Sequence, residues 1–583
     1  MYDSCPFISV STNAAGCCKG WEEIGHALRE SLGSRERRIV CVECYPGVFV
    51  NEVRDRLSFF LKPLRAISTD SLFLDSTDLN RRVDPMLTDD PVFGVMNGIA
   101  IKDYFDTEKL RRARQEVAAT IDGLTLIVGT GAVEVVPHYD VLVYADLARW
   151  EIQKRQRRGD IGNLGADNLD ESAAQKYKRG FFLDWRAADR LKEQLLPHID
   201  FVLDTNASES PKLISGDAMR SGLRLAIQRP FRVVPFFDPG PWGGHWMEKM
   251  FGLPKDVPNY AWCFDCVPEE NSMLLGFGDT RVEIPSINLV LAHPRELLGE
   301  HIYKRFGAEF PIRFDLLDTV AGGNLSLQVH PLTRYVRERF GLAYTQDESY
   351  YLLDAEDGAC VYLGLKEGVN PRAMLDDLKA AQQEDQDFDA NRYVNKWPAR
   401  KHDHFLIPAG TVHCSGRGSM VLEISATPYI FTFKLWDWGR MGLDGRPRPI
   451  HLQRGAENIQ WDRTTAWVKD SLVNCIEQIA IGDGWREERT GLHELEFIET
   501  RRHWFTGVVP HETNGTVNVL NLVEGEEAVV ESPTGAFEPF VVHYAETFII
   551  PAQVGSYTVR PHGKATGKQC ATVKAFVRPE SEE

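Results

Sequence analysis

The sequence predicts a multidomain chain, α/β in its first third and mainly β thereafter. Two features predict this. Up to about residue 210, short apolar runs alternate with stretches of helical periodicity. Beyond 211, prolines and tryptophans punctuate many short strands with alternating polarity. With 583 residues, 43% hydrophobic and 26% charged, the chain is long enough for several cores and has an ordinary globular composition. Three segments follow: an α/β domain over 1–210, a mainly β domain over 211–495 with a helical insertion at about 370–398, and a small β domain over 496–583.

In the first segment the expected strands are 38–44, 123–129, 140–146 and 199–204, and the expected helices 107–119, 147–158 and 186–196. This is a mononucleotide-type layout, whose phosphate loop would follow the first strand at Glu43–Asn51. That stretch has one glycine, Gly47, and no Lys-Ser/Thr pair, so it lacks the amide cradle and lysine of a working phosphate loop. The strand and turn at 38–51, with the segment Asp146–Arg158, resemble the nucleoside and uridine kinase group of P-loop proteins. The resemblance implies a degenerate, catalytically silent kinase-like domain. Read without it, the basic run Lys154–Arg158 is one solvated helix face.

In the second segment a helix is expected at 294–306, opened by Pro294 and closed before Gly307. In the insertion, Asn370 and Pro371 form a cap and first turn, and Met374, Leu375, Leu378 and Ala381 mark one apolar face. The last segment consists of strand-like runs such as Val517–Leu522 and Thr547–Ile550.

Charge and cysteine usage exclude several classes. Sixty-six basic against 84 acidic residues leave a net charge of -18, which repels a polyanion, so nucleic acid is not an expected partner. Neither a membrane span nor a secretory leader is apparent, and a cytoplasmic protein is expected. Eleven scattered cysteines, an odd count, are expected as reduced thiols. Two C-x-x-C pairs, Cys41/Cys44 and Cys263/Cys266, read as core thiols rather than a four-thiolate zinc site.

The chemistry is concentrated between 324 and 455. In Asn324–Pro331 alternation puts Leu325, Leu327 and Val329 on one face, and Ser326, Gln328 and His330 on the other. Gln328 and His330 therefore stand side by side. Glu348 heads another apolar strand, and the turn Pro408-x-Gly410-x-x-His413 delivers a second histidine. A strand with paired ligands, a glutamate and a later histidine make up the layout by which a double-sheet β-barrel builds an internal metal site. Gln328, His330, Glu348 and His413 offer nitrogen and oxygen donors without thiolate, a set that suits Zn2+ and also admits iron or manganese. His402 and His404 mimic an H-x-H pair but read as strand-entry or rim residues.

The segments LSLQVHP (325–331), QDESYYLLDAEDGACVYLGLK (346–366), FLIPAGTVHCSGRGSMVLEI (405–424) and FKLWDWGRMGLDGRPRPIH (433–451) resemble class I mannose-6-phosphate isomerase. The resemblance spans about 231–455 and, more loosely, the C-terminal β domain. It implies a cupin (jelly-roll) barrel, the same four metal ligands, and interconversion of mannose 6-phosphate and fructose 6-phosphate through an enediol. Lys434 stands where much of that family places a catalytic arginine, which keeps the charge, loses the planar fork and admits a role as base. Gln346 and the stretch Cys263–Cys266 also depart from the family pattern. Lys434 is the expected catalytic residue; Arg440 and Asp437 are the expected substrate contacts, with Arg446 and Arg448 as weaker phosphate contacts. The departures also admit a silent or altered-specificity sugar-phosphate-binding protein with a regulatory role.

Overall fold

The computed structural model describes residues 1–10, 17–383, 387–443, 445 and 448–579. The chain divides into two compact units: Phe7–Ala226 with Pro268–His293, and Met1–Pro6 with Ile227–Val267 and Pro294–Glu583. No helix among the described residues is long and apolar enough to cross a membrane.

The first unit is α/β. Its seven-stranded sheet runs in the spatial order Cys18–Lys19, Lys212–Ser215, Phe201–Asp204, Val141–Asp146, Arg37–Cys44, Gly123–Gly129, Arg65–Ser68. The five strands from Phe201–Asp204 to Arg65–Ser68 are parallel. Parallel neighbours need crossover connections, which the helices Val50–Leu61, Thr107–Ala119 and Trp185–Leu195 help to supply. The central strand Arg37–Cys44 is buried from Ile39 onward because it is covered on both faces. The expected strands and helices lie within a few residues of the sequence reading, and the structure adds others, among them the strands Cys18–Lys19 and Arg65–Ser68 and the helices Gly20–Ser31, Val50–Leu61 and Ser76–Leu87. Pro268–His293 contributes a hairpin, Ser272–Phe277 with Thr280–Pro285, along which Phe7–Ser9 pairs in parallel.

The turn after Cys44 leads into the helix Val50–Leu61, where a phosphate loop would stand. Arg155 occupies the ground beside it. Its guanidinium donates to the Gly47 carbonyl at 2.9 Å and the Thr205 carbonyl at 2.5 Å, and lies 4.2 Å from the Phe49 ring centroid. The run Lys154–Arg158 is therefore not one solvated face, because Arg155 and Gln156 are buried.

The second unit is mainly β. A six-stranded antiparallel sheet runs His404–Ile407, Asp347–Ala355, Ser419–Ala426, Arg313–Asp318, Trp262–Cys266, Phe236–Asp238. A five-stranded sheet runs Val394–Pro398, Cys360–Leu365, His413–Ser415, Leu327–Val329, Phe433–Trp436. Among the described residues these strands do not close into a ring, so the expected barrel is two open sheets. Each ends in a strand of five residues or fewer that finds no partner on the other sheet. The insertion forms the helix Pro371–Gln383, while residues 384–386 lie outside the described set.

The helix expected at 294–306 is two helices, Pro294–Leu298 and Glu300–Phe306. Gly299 separates them at φ 96°, and a Cβ there would collide with the Gly515 carbonyl oxygen. The C-terminal sandwich has a six-stranded sheet (Glu477–Gly482, Trp485–Arg489, Ile498–Phe505, Cys570–Val577, Asn518–Glu524, Thr547–Ile550) and a four-stranded one (Val509–Glu512, Ser556–Pro561, Glu527–Glu531, Phe540–His543). Its core includes Phe505, Leu520, Leu522, Val530, Phe548 and Val559.

Candidate metal centre

Register brings the predicted residues together. Gln328 pairs directly with His413 on one side and with Lys434 on the other, and directly opposed residues of antiparallel strands share a face. All three side chains therefore belong to the same face of the five-stranded sheet. The turn before His413 is fixed by Gly410, whose φ of 92° suits only glycine well and whose N–H donates to the His330 carbonyl at 2.8 Å. Glu348 comes from the facing sheet. Its Oε2 lies 3.1 Å from His330 Nε2 and its Oε1 2.9 Å from His413 Nε2. His330, Glu348 and His413 are each 0% exposed, and one donor atom from each lies within 4.8 Å of the others.

The tautomers follow from the second ring nitrogens. His330 Nδ1–H donates to the Phe431 carbonyl at 2.9 Å and His413 Nδ1–H to the Thr411 carbonyl at 2.8 Å. Both Nε2 atoms are then lone pairs when the rings are neutral, and they face a carboxylate. Burial alone would raise the Glu348 carboxyl, but the two rings, when a proton rather than a cation lies between them and the carboxylate, hold it well below the usual carboxylate range, and against burial Glu348 in turn raises His330. Three electron-pair donors converging in a buried space, with His330 Nε2 and Glu348 Oε1 making no hydrogen bond, fit a divalent cation. Gln328 sends its amide Nε2 to within 3.3 Å of His413 Nε2, so its oxygen points away in this arrangement.

Neighbouring groups hold the carboxylate in place. Gln346 Nε2 donates to Glu348 Oε2 at 2.9 Å while its Oε1 accepts from the Phe431 N–H at 3.0 Å, so both ends of the amide are engaged. Burial and then the charges of Glu348 and Asp315 push the Glu423 carboxyl well up, leaving Glu348 as the anion of that pair. The sequence marked Gln346 only as a departure from the family pattern, not as a support for Glu348, and it gave no sign of Glu423.

A family model described as a domain of unknown function (DUF8485) matches residues 20–228. The mannose-6-phosphate isomerase of Streptococcus mutans is 28% identical over 322 residues, 54% of this chain and 90% of that protein. ManA, a mannose-6-phosphate isomerase of Bacillus subtilis, is 25% identical over 237 residues, 40% of this chain and 68% of that one. About half of the chain is homologous to mannose-6-phosphate isomerases. A crystal structure of the Bacillus subtilis mannose 6-phosphate isomerase aligns with 60% of this chain and 99% of its own, at TM-score 0.49 and 17% identity.

The remaining predicted residues separate into those near the His330–Glu348–His413 cluster and those apart from it. Lys434 is half-buried beside Gln328, and its Nζ makes no hydrogen bond among the described residues. Burial, reinforced by Arg448 and Arg440 against the opposing Asp437, lowers its ammonium to about 8. Asp437 accepts from Ser326 Oγ at 2.8 Å, Arg440 Nη2 at 2.7 Å and Arg448 Nη1 at 2.9 Å, so its oxygens are taken up in holding two arginines. Arg440 also donates to the Asn324 carbonyl. Arg446 lies outside the described residues. His402 bonds Tyr351 and Glu524, and His404 bonds Ser349; neither belongs to the His330–Glu348–His413 cluster. Cys41, Cys44, Cys263 and Cys266 are buried free thiols.

Proposed function

We propose that this chain is a zinc-dependent aldose–ketose isomerase that interconverts mannose 6-phosphate and fructose 6-phosphate through an enediol, on a jelly-roll scaffold. The single observation that carries the reading is the buried His330–Glu348–His413 set with Lys434 two strands from His413 on the same face. His330, Glu348 and His413 would hold the cation, with Gln328 joining once its amide is turned over. A bound divalent cation supplies polarisation of the sugar oxygens and stabilises negative charge developing on them.

The chain's own groups do the proton work. Lys434 Nζ, neutral in a useful fraction near pH 8, takes the proton from one of carbons C1 and C2 and returns it to the other, while the hydroxyl proton passes between O2 and O1 of the enediol so that the product is neutral. Arg440 and Arg448, held by Asp437, bind the sugar phosphate as fixed cations, and Asp437 acts by orienting them. Residues 1–210 serve as a silent kinase-like domain, a reading supported by the parallel sheet and by Arg155 filling the ground beside the degenerate loop.

A second reading, a sugar-phosphate-binding protein without turnover, is favoured by Gln346, whose amide is fully engaged by protein and offers no charge to substrate. Zinc-loaded and chelator-treated protein would be assayed for conversion of fructose 6-phosphate to mannose 6-phosphate. Turnover that the chelator abolishes and zinc restores is expected. Calorimetric binding of the sugar phosphate without exchange of its C2 proton would decide for the second reading.

A further inference from the structure

The C-terminal sandwich contains a second pair of buried histidines that the isomerase reading does not use. His503, on Ile498–Phe505, and His511, on Val509–Glu512, lie on facing sheets with ring centroids 4.5 Å apart, and they are 2% and 5% exposed. The corresponding separation of His330 and His413 is 4.8 Å. Two ring nitrogens, His503 Nδ1 and His511 Nε2, are buried with no hydrogen-bond partner among the described residues. Leaving such atoms unpaired is costly, and finding two in contacting rings points to a missing shared partner.

The surroundings prepare both rings. His503 Nε2 faces Glu487 Oε1 at 3.3 Å, and Arg501 donates to the same carboxylate at 2.9 Å. Glu487 is thereby kept as an anion that accepts the Nε2 proton, leaving a lone pair on His503 Nδ1. A carboxylate behind a histidine in this way is the support that metal-ligating histidines commonly have. His511 is stacked on the Tyr557 ring at 4.8 Å and 10°, and the Tyr557 hydroxyl donates to Asn518 Oδ1 at 2.9 Å, so this ring too is held in plane.

We infer that His503 Nδ1 and His511 Nε2 form a second metal site, for one divalent transition ion of the imidazole-preferring kind such as Zn2+, bridging the two sheets of the C-terminal sandwich. Imidazole nitrogen suits zinc, nickel and copper, and a lone ion needs far less room than a sugar. The ion's remaining positions fall to water. Lys574 is the opposing feature. It lies on Cys570–Val577 with a buried side chain and no hydrogen-bond partner among the described residues, and its charge is countered by Glu487 and Glu499, both of which Arg501 holds.

The test removes the first site and asks what remains. The full-length Glu348→Gln/His413→Asn variant would be dialysed against micromolar Zn2+ and its zinc content measured by atomic emission. One zinc per chain is expected, lost when His503→Asn and His511→Asn are added, with Lys574→Met tightening binding by about tenfold or more. No zinc in the first variant overturns the inference, and so does zinc that survives the loss of both histidines, which would then be bound elsewhere. A reading free of folding effects comes from wild-type crystals soaked in Zn2+: an anomalous peak between His503 and His511 supports the site, and water-like density without one overturns it. The isomerase reading stands or falls separately, because its ligands are different residues.

Discussion

At the scale of single residues, Lys434 separates a base from a mere counter-ion. Its pKa of about 8 places half its population in the neutral form at that pH, with burial the largest cause. If the neutral amine abstracts the proton, kcat/KM for fructose 6-phosphate rises as pH approaches 8 and levels off above it. Lys434→Gln then costs about 10²–10⁴-fold in kcat. Lys434→Arg keeps the charge but cannot release its proton near neutral pH, so it should be almost as impaired in kcat while KM moves little. An arginine variant with wild-type kcat and a flat pH profile would show that the charge alone matters. Gln346 supplies a second test. Gln346→Leu removes the donor that orients Glu348, and zinc affinity measured by competition with a chromophoric chelator should fall about 10–100-fold. The convergence of His330, Glu348 and His413 was legible because strand alternation fixes which residues share a face, and a Q-x-H pair, a glutamate and a P-x-G-x-x-H turn use that rule. The hold of Gln346 on Glu348 and the engagement of Asp437 by Arg448 were not legible, since the first is fixed by the Phe431 N–H, 85 residues away, and the second spans 11 residues of loop.

At the scale of elements, the sequence read well wherever periodicity ran long and poorly where a long-range contact decided. The helix Thr107–Ala119 has the bounds its pattern predicts, with Asp106 accepting from Glu108 N and Lys109 N at its start. The strand Arg65–Ser68 is four residues, two of them exposed, and carries too little pattern to be seen. The interruption at Gly299 is another such case. An interior glycine is often tolerated in a helix, but here the Gly515 backbone, more than 200 residues away, approaches so closely that no side chain fits. Gly299→Ala meets both an unfavourable φ and that carbonyl, so a loss of at least about 2 kcal/mol is expected in chemical denaturation of the full chain. A variant as stable as the parent would mean that the two segments shift apart without penalty. Likewise, the packing of Pro268–His293 with the α/β unit gives no local sign, because hairpins read alike whichever core they join.

At the scale of the whole molecule, the path of the chain matters more than the order of its segments. Met1–Pro6 packs with the β unit, Phe7–Ala226 with the α/β unit, and Pro268–His293 returns to the latter. Within the β unit, the Tyr2 ring stacks on Phe251 at 3.9 Å, its hydroxyl donates to Asp265 at 2.6 Å, and Arg232 donates to the Asp3 carbonyl at 2.8 Å. A chain cut to begin at 211 would therefore leave Asp265 and Arg232 buried with fewer partners, and it should be less stable than its own core predicts. Metal binding gives a sharper test of two separate cores, because His330, Glu348 and His413 all belong to the β unit. A ligand bound only by the folded state adds about 2.7 kcal/mol at one hundred times its Kd, and it adds this to the core that holds it. Differential scanning calorimetry of the full chain should thus show two transitions, one rising by several degrees with Zn2+ and falling back with chelator, the other unmoved. In the Glu348→Gln variant the upward shift should shrink. Equal movement of both transitions would mean that the two units unfold as one.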